Sequence, residues 1–431
     1  MRILIISHNP ISTYQSMGKT FLSLFHCFQR EELCQLYIYP SIPDVDKCNS
    51  YFRVTDKEAL QSCLTRRGIG REIGSDEIRV AKKGLFENEK DESIYRNPKN
   101  QQAFRMLLRD DVWKFSNWFN KRTKKWLNKE KPTCIFVAPG TGKFLYNIAI
   151  KISKKYNLPI VSYICDDYYF LKPKRGFLEK KCSKQLKHKI EEFFTFTTYI
   201  VAISNGIGCH FSDTFRLPYK VIMTGSNYPI CQEVKQRETI NSITYMGNIC
   251  CNRYKSLTEI GIALDEINAE HGSNYELHIY TAEKNEKMLQ CLTACHAIKL
   301  NGFIAGDKFI ETFHSADMLL HVEAFDEESI DLVKYSISTK IADSLGSGIC
   351  LFAYGPACVS SMKHLIENDC AIYACSKTEL KEKLLFAFNN RKMREEKARN
   401  ALIAAHKYHD PNVTSREFYS LMEKISEGTS G

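Results

Sequence analysis

The sequence contains no apolar run approaching the ~20 residues that a bilayer-spanning helix needs, so none of its 431 residues is expected to cross a membrane. It has no low-complexity linker and no internal repeat beyond two similar halves, which excludes solenoids and disordered scaffolds. RNP, KH and zinc-finger text is absent, so nucleic acid is not the expected partner despite a formal charge of +10. Cysteine is not scarce. The 17 cysteines nevertheless form no CxxC pair and no His/Cys cluster with zinc spacing. Reduced thiols in a cytoplasmic protein are the expectation. Two Gly-Lys dipeptides imitate a phosphate-binding loop and fail on position. Thr13 and Val137 stand where each would need its first glycine, and Phe144 replaces the magnesium-reaching hydroxyl of the second. The first seven residues turn polar too soon for a signal peptide and read as a strand.

What is present is an alternation of short apolar strands and amphipathic helices over a length that suits two domains. The most informative stretch is 334–356, KYSISTKIADSLGSGICLFAYGP. Its opening is a polar loop in which Ser338 or Thr339 can cap a short helix with Ile341 and Leu345 on one face. Gly346-Ser347-Gly348 stops that helix, and a buried strand follows. A loop feeding a helix start presents unpaired N–H groups, and Lys340 adds a charge there. Asp343 lies one turn further in. An ordinary capped helix is the alternative for this stretch taken alone.

Along the chain, strand, loop and helix open a doubly wound sheet, with Gly18 and Lys19 placed in the loop before the first helix. Residues 41–100 read as an irregular insertion, including the charged run 88–92. In 104–126, Trp113, Phe115, Trp118, Phe119 and Trp126 read as core. The strand 159–164 ends in Asp166-Asp167, where ligands of open α/β sheets bind; helix-capping carboxylates are the alternative. Lys172, Lys174, Arg175, Lys180, Lys181, Lys184, Lys187 and Lys189 crowd one segment with Phe170, Leu171, Phe177 and Leu178. That mixture suits an anionic membrane surface, and a solvated helix face is the alternative. A second domain opens at 243–248, a strand running into Gly247, followed by Arg253 and Lys255.

The order helix, strand, loop, helix, strand, turn, together with the STKIADSLGSG text, resembles the donor site of GT-B glycosyltransferases of the retaining, family 4-like group. The resemblance implies an α/β fold of two facing Rossmann-like domains with a cleft between them. It places an N-terminal domain at 1–228, a nucleotide-sugar domain at 229–405, and a C-terminal helix at 406–431 crossing back to the first. It implies a nucleotide-sugar donor, a saccharide or lipid-linked saccharide acceptor, retention at the anomeric carbon, a role in surface polysaccharide synthesis and no metal or other cofactor. The ribose role falls to Asp343. Phosphate roles fall to Ser338, Thr339, Lys340, Arg253 and Lys255, next to Gly247, and Gly18 and Lys19 are placed near donor and acceptor. Asn301-Gly302-Phe303-Ile304 resembles the edge that reads the base through Phe303 and Ile304. Asp166 and Asp167 would face sugar and acceptor. Two departures stand out: Tyr335 occupies the place of a sugar-contacting glutamate, and Asn248 that of a basic residue. They leave a non-catalytic GT-B-like binding or scaffold protein as the rival reading.

Overall fold

The computed structural model describes residues 1–80, 103–171, 176–235 and 237–428. The chain divides into two compact units, one of residues 1–223 with 414–431 and one of 224–413. The expected changes of domain, at 228 and 405, lie a few residues N-terminal or C-terminal of these.

In the first unit, β1 (Ile3–Ser7), β2 (Leu33–Tyr37), β3 (Ser50–Arg53), β4 (Arg71–Ile73), β5 (Cys134–Val137), β6 (Ile160–Ile164), β7 (Thr197–Ala202) and β8 (Tyr219–Val221) form one sheet. Its order is β4-β3-β2-β1-β5-β6-β7-β8, parallel throughout except for β3 with β4. Strands such as Ile3-Leu4-Ile5-Ile6 are buried along their whole length. A parallel sheet covered by helices on both faces demands such continuous apolar runs. The helix Pro411–Glu427 contributes its residues from 414 onward here. Phe418 packs against Phe25, Phe28 and Phe136, and Ser415 Oγ donates to the Leu24 carbonyl at 2.8 Å.

The described part of 41–100 is not an irregular insertion. It supplies β3, the helix Asp56–Thr65 and β4, which extend the sheet at one edge. The run 88–92 lies outside the described residues. The aromatic stretch is two helices, Ala103–Phe115 and Lys121–Glu130, which bury Trp113 and Trp126. Phe115 is 70% exposed, a correction to its assignment as core.

The second unit holds β9 (Ser242–Met246), β10 (Glu276–Tyr280), β11 (Ile298–Leu300), β12 (Leu319–Val322), β13 (Leu351–Tyr354) and β14 (Ile372–Ala374) in the order β11-β10-β9-β12-β13-β14. This is the doubly wound dinucleotide-fold order, with its reversal between β9 and β12. Alternate residues feed opposite cores. Phe352 and Tyr354 enter one, and Leu351 and Ala353 enter the other with Ile341 and Leu345. Among the described residues, no helix is long and apolar enough to cross a membrane.

Candidate active site

In open α/β sheets the loops at the carboxyl ends of strands flanking the reversal point form a crevice. In the second unit that crevice is a pocket of about 580 Å³, counted out to its open mouth. Thr244 and Met246 of β9, His321 of β12, and Arg253, Lys340 and Asp343 line it.

Arg253 arrives there because the chain turns sharply after β9. Cys251 and Asn252 both take left-handed backbone conformations, at φ of 51° and 55°, which non-glycine residues adopt at a cost. Asn252 is held there by Nδ2 donating to Asp326 Oδ2 at 3.1 Å and to Ser329 Oγ at 3.2 Å. Arg253 then begins the helix Arg253–His271. Its guanidinium donates Nε to Glu323 Oε2 at 3.0 Å and Nη2 to Glu323 Oε1 at 3.2 Å, a two-pronged grip on a buried carboxylate. Nη1 remains for Asn248 Oδ1 at 3.3 Å. Burial pushes the Glu323 carboxyl upward, and Arg253 and Lys340 oppose the shift.

Lys340 enters from the helix Thr339–Leu345. A side chain at position 247 would put its Cβ 2.1 Å from Lys340 Nζ, so the glycine makes room for the ammonium. Gly247 also has φ of 156°, a region that L side chains rarely adopt. Desolvation and the nearby Arg253 lower the Lys340 pKa, against the pull of Glu323, Cys250 and Asp343. Two like charges are thus held close together. His321 is buried in the same pocket, and its pKa is lowered to about 3 by burial, Arg253 and Lys340. The ring is therefore neutral at pH 7. Its Nε2 lies 3.5 Å from Glu323 Oε1 and finds no hydrogen-bond partner among the described residues.

Asp343 lines the same pocket, but its carboxylate already has partners. It accepts from Asn227 N at 2.7 Å, Asn227 Nδ2 at 3.1 Å and Ser226 Oγ at 3.2 Å. Ser338 holds the N-cap position of the Lys340 helix and lines the pocket, yet makes no side-chain cap bond. Thr339 is the first helical residue. Lys255 is exposed and its charge falls near Asp326, Tyr335 packs under the Lys334 ammonium, and Phe303 is 70% exposed beside a buried Ile304. None of these four is among the pocket's lining residues.

Gly18 lies inside the helix Ser16–Leu24 and not in the loop before it. A Cβ there would fall 2.3 Å from Ser12 Oγ and 2.8 Å from the Pro10 carbonyl, so this glycine serves a close chain crossing. Lys19 donates its backbone N–H to the Gln15 carbonyl within the same helix start. At the end of β6, Asp167 accepts from the backbone N–H groups of Tyr169 and Phe170, both at 2.9 Å, and so closes its own turn. Asp166 accepts from Tyr168 Oη at 3.1 Å and lines a smaller, aromatic-walled pocket with Tyr146, Phe194 and Phe211. A third charged group sits just past β1. Arg109 bonds His8 Nε2 at 2.8 Å and Asp56 Oδ1 at 2.9 Å, while Trp113 Nε1 donates to the same Asp56 oxygen at 2.6 Å.

Glu323 and His321 were not singled out from the sequence, although both occupy the carboxyl end of a strand. The rule that drew attention to Asp166 applies equally to them. Among the described residues no group of three or more His, Cys, Asp or Glu side chains is placed to hold a metal ion.

Residues 263–419 match a family model described as glycosyl transferase-like, a stretch that contains His321, Glu323, Lys340 and Asp343 and begins after Arg253. No curated protein sequence matches the chain significantly. The fold is similar to Anabaena HepE, solved in complex with UDP, with a TM-score of 0.63 at 11% identity over 98% of this chain and 100% of that one. It is also similar to sucrose-phosphate synthase from Thermosynechococcus elongatus, with a TM-score of 0.63 at 8% identity over 99% and 100% of the two chains. The α,α-trehalose 6-phosphate synthase from Burkholderia multivorans gives 0.60 at 9% identity over 100% and 98%. The chain has the GT-B fold and, in that fold and in its matched segment, resembles the GT-B glycosyltransferases.

Proposed function

We propose that this protein is a nucleotide-sugar-dependent glycosyltransferase. It moves a sugar to a hydroxyl of a saccharide or lipid-linked saccharide, with retention, in the synthesis of a surface polysaccharide. The observation that carries the reading is the placement of Arg253 and Lys340 side by side at the reversal point of the second sheet. Breaking the bond between a sugar and a nucleoside diphosphate builds negative charge on the leaving phosphate oxygens. Preorganised cations stabilise that charge without reorganising during the reaction, each contributing on the order of 10²–10³ in rate. Glu323 fixes the Arg253 fork, and Gly247 lets Lys340 approach. With this charge supplied by side chains, the reaction needs no divalent ion, and turnover should persist in excess EDTA. Ser338 and Asp343 complete the donor side.

The acceptor role falls to the first unit's pocket at Asp166, whose carboxylate can take a hydrogen bond from a sugar hydroxyl beside aromatic walls. The helix Phe177–Phe194 buries Cys182, Leu186 and Ile190 and turns Lys180, Lys181, Lys184 and Lys187 outward, with Phe177 81% exposed at its start. Lys172, Lys174 and Arg175 of the same basic segment lie outside the described residues. This outward face suits docking on the cytoplasmic, anionic side of a membrane at about 1 kcal/mol per basic residue. Changing Lys180, Lys181 and Lys184 to Glu should remove low-salt sedimentation with anionic vesicles, and unchanged sedimentation would make the face merely solvated.

The direct test incubates the protein with a panel of sugar nucleotides and saccharide acceptors, following nucleoside diphosphate release and the product anomer by NMR. Release with a retained anomer supports the proposal. Binding without release from any donor points to the binding-protein reading, and an inverted anomer removes retention.

A further inference from the structure

We propose that an apolar ridge shared by the helices Asp56–Thr65 and Ala103–Phe115 of the first unit inserts into the headgroup boundary of an anionic bilayer. Helix spacing builds the ridge. Leu60 and Leu64 stand four and eight positions after Asp56, which puts the three on one side of the first helix. In the second helix Phe104, Leu108 and Val112 repeat that spacing, and Phe115 falls seven positions beyond Leu108. The two rows abut. Asp56 accepts from Arg109 Nε at 2.9 Å and from Trp113 Nε1 at 2.6 Å, and Cys63 Sγ donates to the Val112 carbonyl at 3.2 Å.

Each helix gives its other side to the core, through Ala59 and Ser62 in the first and Ala103, Asp110 and Trp113 in the second. The ridge itself faces water. Leu64 is 83% exposed, Phe115 70%, Phe104 62%, and Leu60 and Leu108 54% each. Single exposed apolar side chains are ordinary on any protein surface, but a contiguous row of them marks a contact that the isolated chain does not make.

The charges around the ridge select its occupant. Arg66 and Arg67, just past the first helix, and Lys114 in the second are exposed, against a single exposed carboxylate on the two helices, Asp111. Lys114 Nζ sits 5.5 Å from the centre of the Phe115 ring, an ammonium at the rim of an apolar surface. On the far side of the second helix, Lys143 pairs with Asp110 at 3.5 Å and also bonds Gln185 of the helix Phe177–Phe194. The helix carrying Lys180, Lys181, Lys184 and Lys187 is therefore the next one along. Leucine and phenylalanine bordered by cations match acyl chains lying under anionic headgroups.

This contact differs in kind from docking through lysines alone. Attraction between lysines and headgroups is screened by salt, whereas apolar side chains leaving water gain as much at high salt as at low. The ridge thus supplies a part of membrane binding that salt does not remove. Resting on the reading that the acceptor is lipid-linked, the contact has a purpose as well: it brings the first unit to the surface in which that acceptor is embedded.

The test sediments the whole protein with phosphatidylglycerol–phosphatidylcholine vesicles at low and high salt, comparing wild type with the triple variant Leu60→Gln, Leu64→Gln, Leu108→Gln. Each leucine moved out of water should contribute roughly tenfold to partitioning. The triple variant should therefore bind about 100-fold or more weakly at high salt, with its circular dichroism unchanged. Wild type should also raise the surface pressure of an anionic lipid monolayer, and the variant should not. Equal partitioning of the two proteins at high salt, or wild-type binding that is absent or vanishes with salt, overturns insertion. So does a wild type that is dimeric without lipid and that the same changes make monomeric, since the ridge would then be an interface between two copies. Vesicle binding involves no nucleotide, and transfer to a soluble acceptor, expected to be equal in both proteins, involves no lipid, so failure of the contact and failure of the proposed reaction are told apart.

Discussion

The two units share a sheet plan, yet they treat charge at the reversal point differently. Past β1 in the first unit, one cation, one carboxylate and one neutral ring close on each other: Arg109 holds Asp56 and His8, and Trp113 also donates to Asp56. The His8 ring stays neutral, with its pKa lowered to about 4 by burial and by Arg109. In the second unit, Arg253 and Lys340 stand together, Glu323 is gripped by Arg253 and accepts more weakly from Ser361 Oγ at 3.5 Å, and the buried His321 Nε2 has no hydrogen bond among the described residues. The lesson, on the proposed reading, is that a strand-end position can serve as an anion site only when its charges are left incompletely matched. The first cluster joins its charges to one another, whereas the second would keep part of its charge for a ligand.

The largest expected difference between the units is their response to acid. His321 and His364 have pKa values lowered to about 3 and His409 to about 4, all chiefly by burial. The bonding of the last two fixes their tautomers. His409 Nδ1–H donates to the Thr224 carbonyl at 2.9 Å, so its Nε2 must accept from His364 Nε2–H at 3.0 Å. A folded-state pKa below the unfolded value of about 6.5 means that the unfolded chain binds more protons between the two values. Stability is therefore full above about pH 6.5 and is lost as pH falls toward 3–4. Three such rings cost the second unit about 4 kcal/mol per pH unit near pH 5, against about 1.4 for His8 in the first. Hydrogen exchange at pH 5 should show the second unit opening first. Earlier opening of the first unit would break the comparison.

Next in size is Glu323→Ala. Removing one partner of a buried pair leaves Arg253 unmatched and should cost about 3–5 kcal/mol in chemical denaturation. Asp56→Ala in the more exposed first cluster should cost only about 1–2 kcal/mol, within the range for a hydrogen-bonded charge near the surface. Equal losses would mean that the two clusters do the same structural work.

Smaller still is Asp343→Asn. The carboxylate accepts from Asn227 and Ser226, so the change removes charge-assisted bonds worth roughly 1.5–3 kcal/mol. If Asp343 also receives ribose hydroxyls, donor affinity measured by calorimetry should fall about tenfold in the folded variant. Unchanged affinity with a lowered melting temperature would confine Asp343 to holding the 226–227 turn.

Much of this was legible in the sequence because it is local. Ile341 and Leu345 declared a buried helix face, Gly346 its end, and Lys340 its charged start; the structure buries both apolar residues as expected. What escaped was non-local or faintly marked. Asn227 meets Asp343 across 116 positions, and no local pattern announces such a bond. The strands β3 and β4 are four and three residues long and mix charge with apolar residues, so they read as loop. The first helix begins after Gln15 without a side-chain cap, which hid its start and misplaced Gly18. Glu323 looked like the end of a strand, and its partner Arg253 lies 70 positions earlier.

The central claim is that Arg253 and Lys340 form an anion site for a nucleoside diphosphate, whereas Arg109 does not. Calorimetric titration of a panel of nucleoside diphosphates into the wild type, Lys340→Ala, Arg253→Ala and Arg109→Ala tests it. The account predicts that at least one binds the wild type and Arg109→Ala, and that its affinity falls by about 10- to 100-fold in the other two, the scale of one lost charge-assisted contact. Undiminished binding of that nucleotide by folded Lys340→Ala and Arg253→Ala would contradict it.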